Sequence, residues 1–291
     1  MSACLAFLCS CSTLPKWSAD DSTRPPLPAD AQFNKSAGDD NPLFVMLRSE
    51  NGGELLFMVD TGMPLTVLDK SLESKLGKRL GTSEENYSWF GKTTVGIYGA
   101  PKLYLGDTRL LINDRVLTDD LSKMSLSGHP VMGILGLDCL RHYCIQLDFD
   151  ARRLRFLDPD LLKTNDLGKA FPITISHGGA FTRINFFRLK KVWLEIDTGC
   201  TIDAALEPKL VQQELRVQKA EMTNEMKTAA GVPVRQVYFQ QAVFNGEVYP
   251  HFMLNDCPDA NLLGLRFLAR HLVTLNFPKR MMYLKPNAAE Y

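Results

Sequence analysis

The chain contains no C-x-x-C pair, no H-E-x-x-H, no G-x-S-x-G and no phosphate-loop glycine pattern. These absences remove the usual sequence signatures of zinc centres, thiol redox pairs, serine hydrolases and nucleotide-binding loops. Its seven cysteines (Cys4, Cys9, Cys11, Cys139, Cys144, Cys200, Cys257) are odd in number and scattered, which makes a poor disulfide framework and a poor zinc site. The five histidines (His129, His142, His177, His251, His271) are equally dispersed. No cofactor and no metal is expected. Neither sign of charge is in excess, since Lys plus Arg and Asp plus Glu number 33 each. A balanced chain feels no pull toward phosphate backbones, so nucleic acid is not an expected partner. No apolar run reaches the roughly 20 residues of a membrane-spanning helix. What is present is an ordinary globular composition, 45% hydrophobic and 23% charged, in 291 residues: one large domain or two ordinary ones.

Residues 12–40 are rich in Ser, Pro, Asp and Lys and show no sustained period, which predicts a flexible linker. From residue 41 the pattern becomes β. Leu43 to Leu47 reads as a strand, Asn51-Gly52-Gly53 as a turn, and Glu54 to Asp60 as the returning strand. A second β-rich section starts at Phe171, with a turn at His177-Gly178-Gly179 and a strand leading to Asp197.

The chain repeats itself. Phe57-Met58-Val59-Asp60-Thr61-Gly62 recurs as Leu194-Glu195-Ile196-Asp197-Thr198-Gly199. A short helical segment follows each, opened by Asp69 and by Glu207, acids that suit a helix N-terminus. Ile134-Leu135-Gly136-Leu137 recurs as Leu262-Leu263-Gly264-Leu265. After each come a helical turn, a strand, a basic turn (Arg152-Arg153, Lys279-Arg280) and a last strand. Three landmarks in one order predict two similar β-rich units, 41–163 and 164–291, with the boundary in the polar stretch 161–169. Two copies are too few for a solenoid.

A lone Asp-Thr-Gly usually marks a turn, because Asp caps turns and Gly accepts positive φ. Two copies, each after an apolar strand and each at one place in a repeat, point instead to chemistry. An apolar strand drives the acid inward, where an ionised carboxylate is costly unless hydrogen-bonded. Glycine lets backbone N–H groups approach it. Threonine offers a hydroxyl able to bond across a twofold axis.

These motifs resemble those of the retropepsin and pepsin clan of aspartic peptidases, and the match runs over residues 41–286. Ile134-Leu135-Gly136 and Leu262-Leu263-Gly264 fit the hydrophobic-hydrophobic-Gly element that supports each aspartate loop in that clan. The resemblance implies a mainly β fold of two lobes about a pseudo-twofold axis, with catalytic Asp60 and Asp197. It assigns an interlocking role to Thr61 and Thr198 and a backbone role to Gly62 and Gly199. The implied reaction is hydrolysis of a peptide or protein substrate by a monomer, with one water activated between the acids and no covalent intermediate. Two like charges so close cannot both ionise cheaply, so the pair shares a proton; the aspartic-peptidase dyad is the standard instance of this effect. Activity at acidic to mildly acidic pH is expected.

Met63 and Cys200 stand where the clan usually has Ala, Ser or Thr, and are candidate substrate-side residues. Cys200 reads either as a small buried residue or as a redox-sensitive one. Gly96-Ile97-Tyr98-Gly99 is the candidate covering loop of the first unit, with Tyr98 as a substrate contact or a plain strand-end aromatic. Ala229-Ala230-Gly231 is its counterpart in the second. His142 and His271 read as structural, and the basic turns and Asp119-Asp120 as solvated surface. The first eleven residues resemble the end of a secretory signal. Leu8-Cys9-Ser10-Cys11 resembles a bacterial lipoprotein box with Cys11 as the lipid-bearing residue. This predicts an exported, periplasmic or membrane-anchored protein tethered by an N-terminal lipid; the other reading is a hydrophobic N-terminus on a cytoplasmic protein. Two further readings stay open: a catalytically weak or inactive peptide-binding surface lipoprotein on the same fold, and two unrelated β domains with coincidental triplets.

Overall fold

The computed structural model describes residues 26–39, 41–87, 91–227, 233–258 and 260–287. Cys11 and the rest of the signal-like segment lie outside them, as does Ala229-Ala230-Gly231. The described chain is mainly β, in three large sheets with a few short helices.

The nine-stranded sheet is built from the first half of the chain. Next to its middle strand lies Glu54–Val59, which leads into Asp60. On one side this pairs antiparallel with Phe44–Ser49, closing the hairpin expected around Asn51-Gly52-Gly53. On the other it pairs in parallel with Gly133–Leu135, which pairs in turn with Val67–Asp69. Gly52 takes the turn at φ 80, which a side chain would resist. The eight-stranded sheet, from the second half, follows the same plan. Leu189–Asp197 pairs antiparallel with Gly179–Phe186 and in parallel with Leu262–Gly264, which pairs with Ala204–Leu206. Beyond these, each sheet extends through a long hairpin: Gly81–Tyr87 with Gly91–Gly99 in one, Met222–Lys227 with Pro233–Phe244 in the other.

The six-stranded sheet takes strands from both halves. Its two middle strands, Cys144–Asp148 and His271–Asn276, run antiparallel to each other, with Gln146 facing Thr274 and bonded to it at 3.1 Å. Arg153–Leu157 and Met281–Pro286 flank them, and Ala29–Gln32 and Lys169–Pro172 form the edges. The basic turns Arg152 and Arg280 both adopt φ 54 and are exposed.

One expectation is corrected here. Residues 29–37 are not linker: Ala29–Gln32 pairs with Arg153–Leu157, and Phe33 and Ala37 are buried. A strand of Ala, Asp, Ala and Gln has too little apolar alternation to be seen in the sequence; the edge it completes supplies its order.

Alternation along the central strands sorts the core. Phe57 and Val59, like Leu194 and Ile196, enter one large cluster shared with the six-stranded sheet. The residues between them face the other way. Met58 joins Phe44, Met63, Val67, Val95 and Ile134 in a second cluster, and across the molecule Cys200, Ile202, Met253 and Leu262 form a third. Burying each such side chain is worth about 1.5–3 kcal/mol against leaving it in water. Asp60 and Asp197 lie on the faces of these smaller clusters. The apolar strand thus fixes its own backbone and delivers the acid at its end to the opposite face.

Candidate active site

Each aspartate sits where its strand stops and a tight loop begins. The loop is held from behind by the glycine of the supporting element. A Cβ at Gly136 would stand 2.7 Å from the backbone of Leu65, and one at Gly264 would stand 2.1 Å from the carbonyl of Ile202. After each glycine the chain turns helical. The amide of Leu137 donates to the Met63 carbonyl at 2.7 Å, and that of Leu265 donates to the Cys200 carbonyl, also at 2.7 Å. Met63 and Cys200 are both buried and serve as backbone anchors of these loops, with their side chains in the small apolar clusters. Burial pushes the Cys200 thiol well up, which disfavours the thiolate that oxidation chemistry uses.

The two loops interlock. The Thr61 amide donates to the Thr198 hydroxyl at 3.0 Å, and the Thr198 amide donates to the Thr61 hydroxyl at 3.0 Å. Each hydroxyl then donates onward into the opposite strand, Thr61 to the Ile196 carbonyl at 2.6 Å and Thr198 to the Val59 carbonyl at 2.8 Å. Both threonines are fully buried. Four satisfied bonds, each worth about 0.5–1.5 kcal/mol net, clamp the loops; losing one partner costs more, because the group left behind stays dry.

This clamp brings the carboxyls together. A Cβ on Gly62 would fall 2.7 Å from the Asp197 carboxyl carbon, and a Cβ on Gly199 would fall 2.4 Å from Asp60 Oδ2. Each half leaves out a side chain where the other half's acid lies. Burial, then the charge of Asp197, holds the Asp60 carboxyl well above the usual carboxylate range. Burial raises Asp197 as well, against the pull of two amides. Gly199 and Cys200 donate to Asp197 Oδ1 at 2.8 and 3.1 Å, whereas among the described residues Asp60 Oδ1 receives the Gly62 amide alone, at 2.9 Å. Charge is therefore better stabilised on Asp197, and the shared proton favours Asp60.

No protein-family model matches the chain, and no curated protein matches it.

Of the residues singled out in the sequence, Asp60, Asp197, Thr61, Thr198, Gly62, Gly199, Met63 and Cys200 come together at this point. Tyr98 does not. Gly96 to Gly99 is the end of a strand paired with Arg115–Asp119, so it is no covering loop. The Tyr98 side chain is buried and carries Arg79 over its ring at 5.9 Å. The residues that connect the paired strands, 88–90 in the first half and 228–232 in the second, lie outside the described residues. In the strand Gly91–Gly99, Val95 and Ile97 pack with Met58 and Met63, so this strand pair leans on the apolar face beside Asp60. Shallow depressions at residues 34–39 with 126–127, and at 26–30 with 105–108, are lined by neither aspartate.

Two features escaped the sequence reading. The first is a brace under each loop. In the first half, the Thr66 hydroxyl donates to buried Asp138 at 2.8 Å. In the second, fully buried Asp203 takes two bonds from Arg270, at 2.9 and 3.2 Å, with Arg266 at 3.6 Å. The second is Glu195, a half-buried third carboxyl whose charge raises Asp60 further. The signal was present for Glu195: an acid two residues before Asp197 shares its strand face.

Proposed function

We propose that this chain is a two-lobed, retropepsin- or pepsin-like aspartic endopeptidase, complete in one polypeptide. The observation that carries the reading is the reciprocal packing of each acid against the other half's glycine, beneath a symmetric threonine clamp. A turn or a structural acid has no need of that arrangement. The nine- and eight-stranded sheets, with one strand order at their centres, support the two-lobed architecture, and the six-stranded sheet would join the lobes.

In this reading, Asp197 is the ionised member and draws a proton from a water lying between the carboxyls. Protonated Asp60 donates to the oxygen of the scissile carbonyl. The water oxygen bonds to the carbonyl carbon, and the proton taken up by Asp197 passes to the departing amine as the C–N bond breaks. The amides of Gly62, Gly199 and Cys200 hold the carboxyls in place through each transfer. An N-terminal lipid on Cys11, with export, is part of the same proposal and is testable by mass spectrometry of the native N-terminus.

The test is hydrolysis of a mixed peptide library between pH 3 and 9 by wild type, Asp60→Asn and Asp197→Asn. Wild type should cleave best in the acidic range, and each variant should lose about 100-fold or more. Both variants should remain folded, since each replaces a costly buried acid by a neutral amide. Undiminished cleavage in either variant would sink the dyad. Peptide binding by wild type without cleavage would favour the non-catalytic binding protein.

A further inference from the structure

Glu195 has no task in the hydrolytic step. It precedes Asp197 by two positions in Leu189–Asp197, so both carboxyls leave the same strand face, away from the core taken by Leu194 and Ile196. Room for it is made across the ladder. A Cβ on Gly179 would stand 2.3 Å from Glu195 Oε1, and one on neighbouring Gly178 would touch Pro64 at 3.0 Å, in the loop that follows Asp60. Glu195 therefore lies where the second half abuts the first half's active loop.

Among the described residues the Glu195 carboxyl accepts no hydrogen bond and meets no cation. The cation on that face of the neighbouring strand, Arg183, is held over the Trp193 ring at 5.6 Å and donates to the Lys191 carbonyl at 3.1 Å. Burial, then the charge of Asp197, pushes Glu195 up to about 8. At the equivalent position of the repeat the first half has Met58, inside an apolar cluster. The dyad is thus flanked by an acid on one side and a thioether on the other.

Resting on the peptidase reading, we infer that Glu195 selects the substrate: it receives a lysine or arginine side chain on one side of the scissile bond, while the Met58 flank receives an apolar one. The incoming cation supplies the missing counter-charge. Glu195 releases its proton to solvent and accepts a charge-assisted hydrogen bond from the ammonium or guanidinium. A substrate acid at the same place offers no counter-charge and gains no such bond, so it is discriminated against.

The experiment uses peptides identical except for lysine, norleucine or glutamate at the residue on either side of the cleaved bond. For wild type, Glu195→Gln and Glu195→Met, kcat/KM is measured for each peptide. Kd is measured by calorimetry for matched lysine and norleucine peptides carrying a reduced, uncleavable bond. Wild type should prefer lysine to norleucine by about tenfold or more, on one side only, and the ratio should fall to one or below in both variants. A ratio cancels any change common to both peptides, including altered titration of the dyad. A wild-type ratio near one, or a lysine preference that survives both substitutions, overturns the inference and leaves the peptidase reading standing. If wild type cleaves no peptide, the peptidase reading fails, and the Kd ratios alone decide whether Glu195 selects a cation.

Discussion

In the first half the loop bearing the acid is braced by a neutral hydroxyl, Thr66, against Asp138; in the second half the same two positions hold Asp203 and Arg266, joined by Arg270. The backbone outcome is the same, a glycine tucked against the loop and a helical turn behind it. The means differ. Asp138 keeps one carboxyl oxygen without a partner, and burial raises its pKa. Asp203 is drier still, and burial raises it too, even against its two arginines. The repeat therefore conserves a shape and leaves free how polar atoms beneath it are satisfied. A charged brace gains rigidity at the cost of dependence on both partners.

That contrast can be broken at its most exposed dependence. Arg270→Gln leaves Asp203 buried with Arg266 as its remaining cation, and should cost about 3–5 kcal/mol in denaturant unfolding. Thr66→Val removes one hydroxyl from Asp138, a group that can take up a proton, and should cost about 1–3 kcal/mol. Equal losses in the two variants would show that the braces are equivalent after all.

A smaller and pH-dependent effect sharpens the difference between positions 58 and 195. Glu195 rises from 4.5 to about 8 on folding, so it contributes stability below pH 4.5 that is lost as pH climbs through 8. Glutamine does not titrate. The Tm of Glu195→Gln relative to wild type should therefore grow across that window, by about 2–4 °C. A Tm difference that is flat with pH would mean that Glu195 is already solvated or paired.

The repeat makes the candidate site legible in the sequence alone. The triplets at Asp60 and Asp197 and the glycines at 136 and 264 follow from residue type and order, because a loop that must admit an opposing carboxylate leaves few choices of side chain. What escaped depended on partners distant in sequence. Ala29–Gln32 is a strand only because Arg153–Leu157 offers an open edge. Tyr98 has the right residue type, but Gly96 to Gly99 is paired strand and its side chain turns into the core. The pairing of Asp203 with Arg270 needs two segments that nothing local brings together. Glu195 is visible within the repeat, but its close approach to Gly179 across the ladder is not.

The clamp of Thr61 and Thr198 has a corollary for orientation. Two identical subunits meeting through such a clamp would present the same residue at both flanks, and a bound strand would read the same in either direction. Here one covalent chain supplies both sides, and methionine and glutamate have come to occupy the matched places. The two flanks of the paired carboxyls are therefore chemically distinguishable, and under the proposed function an extended polymer bound across them would have one preferred sense, amino end to carboxyl end.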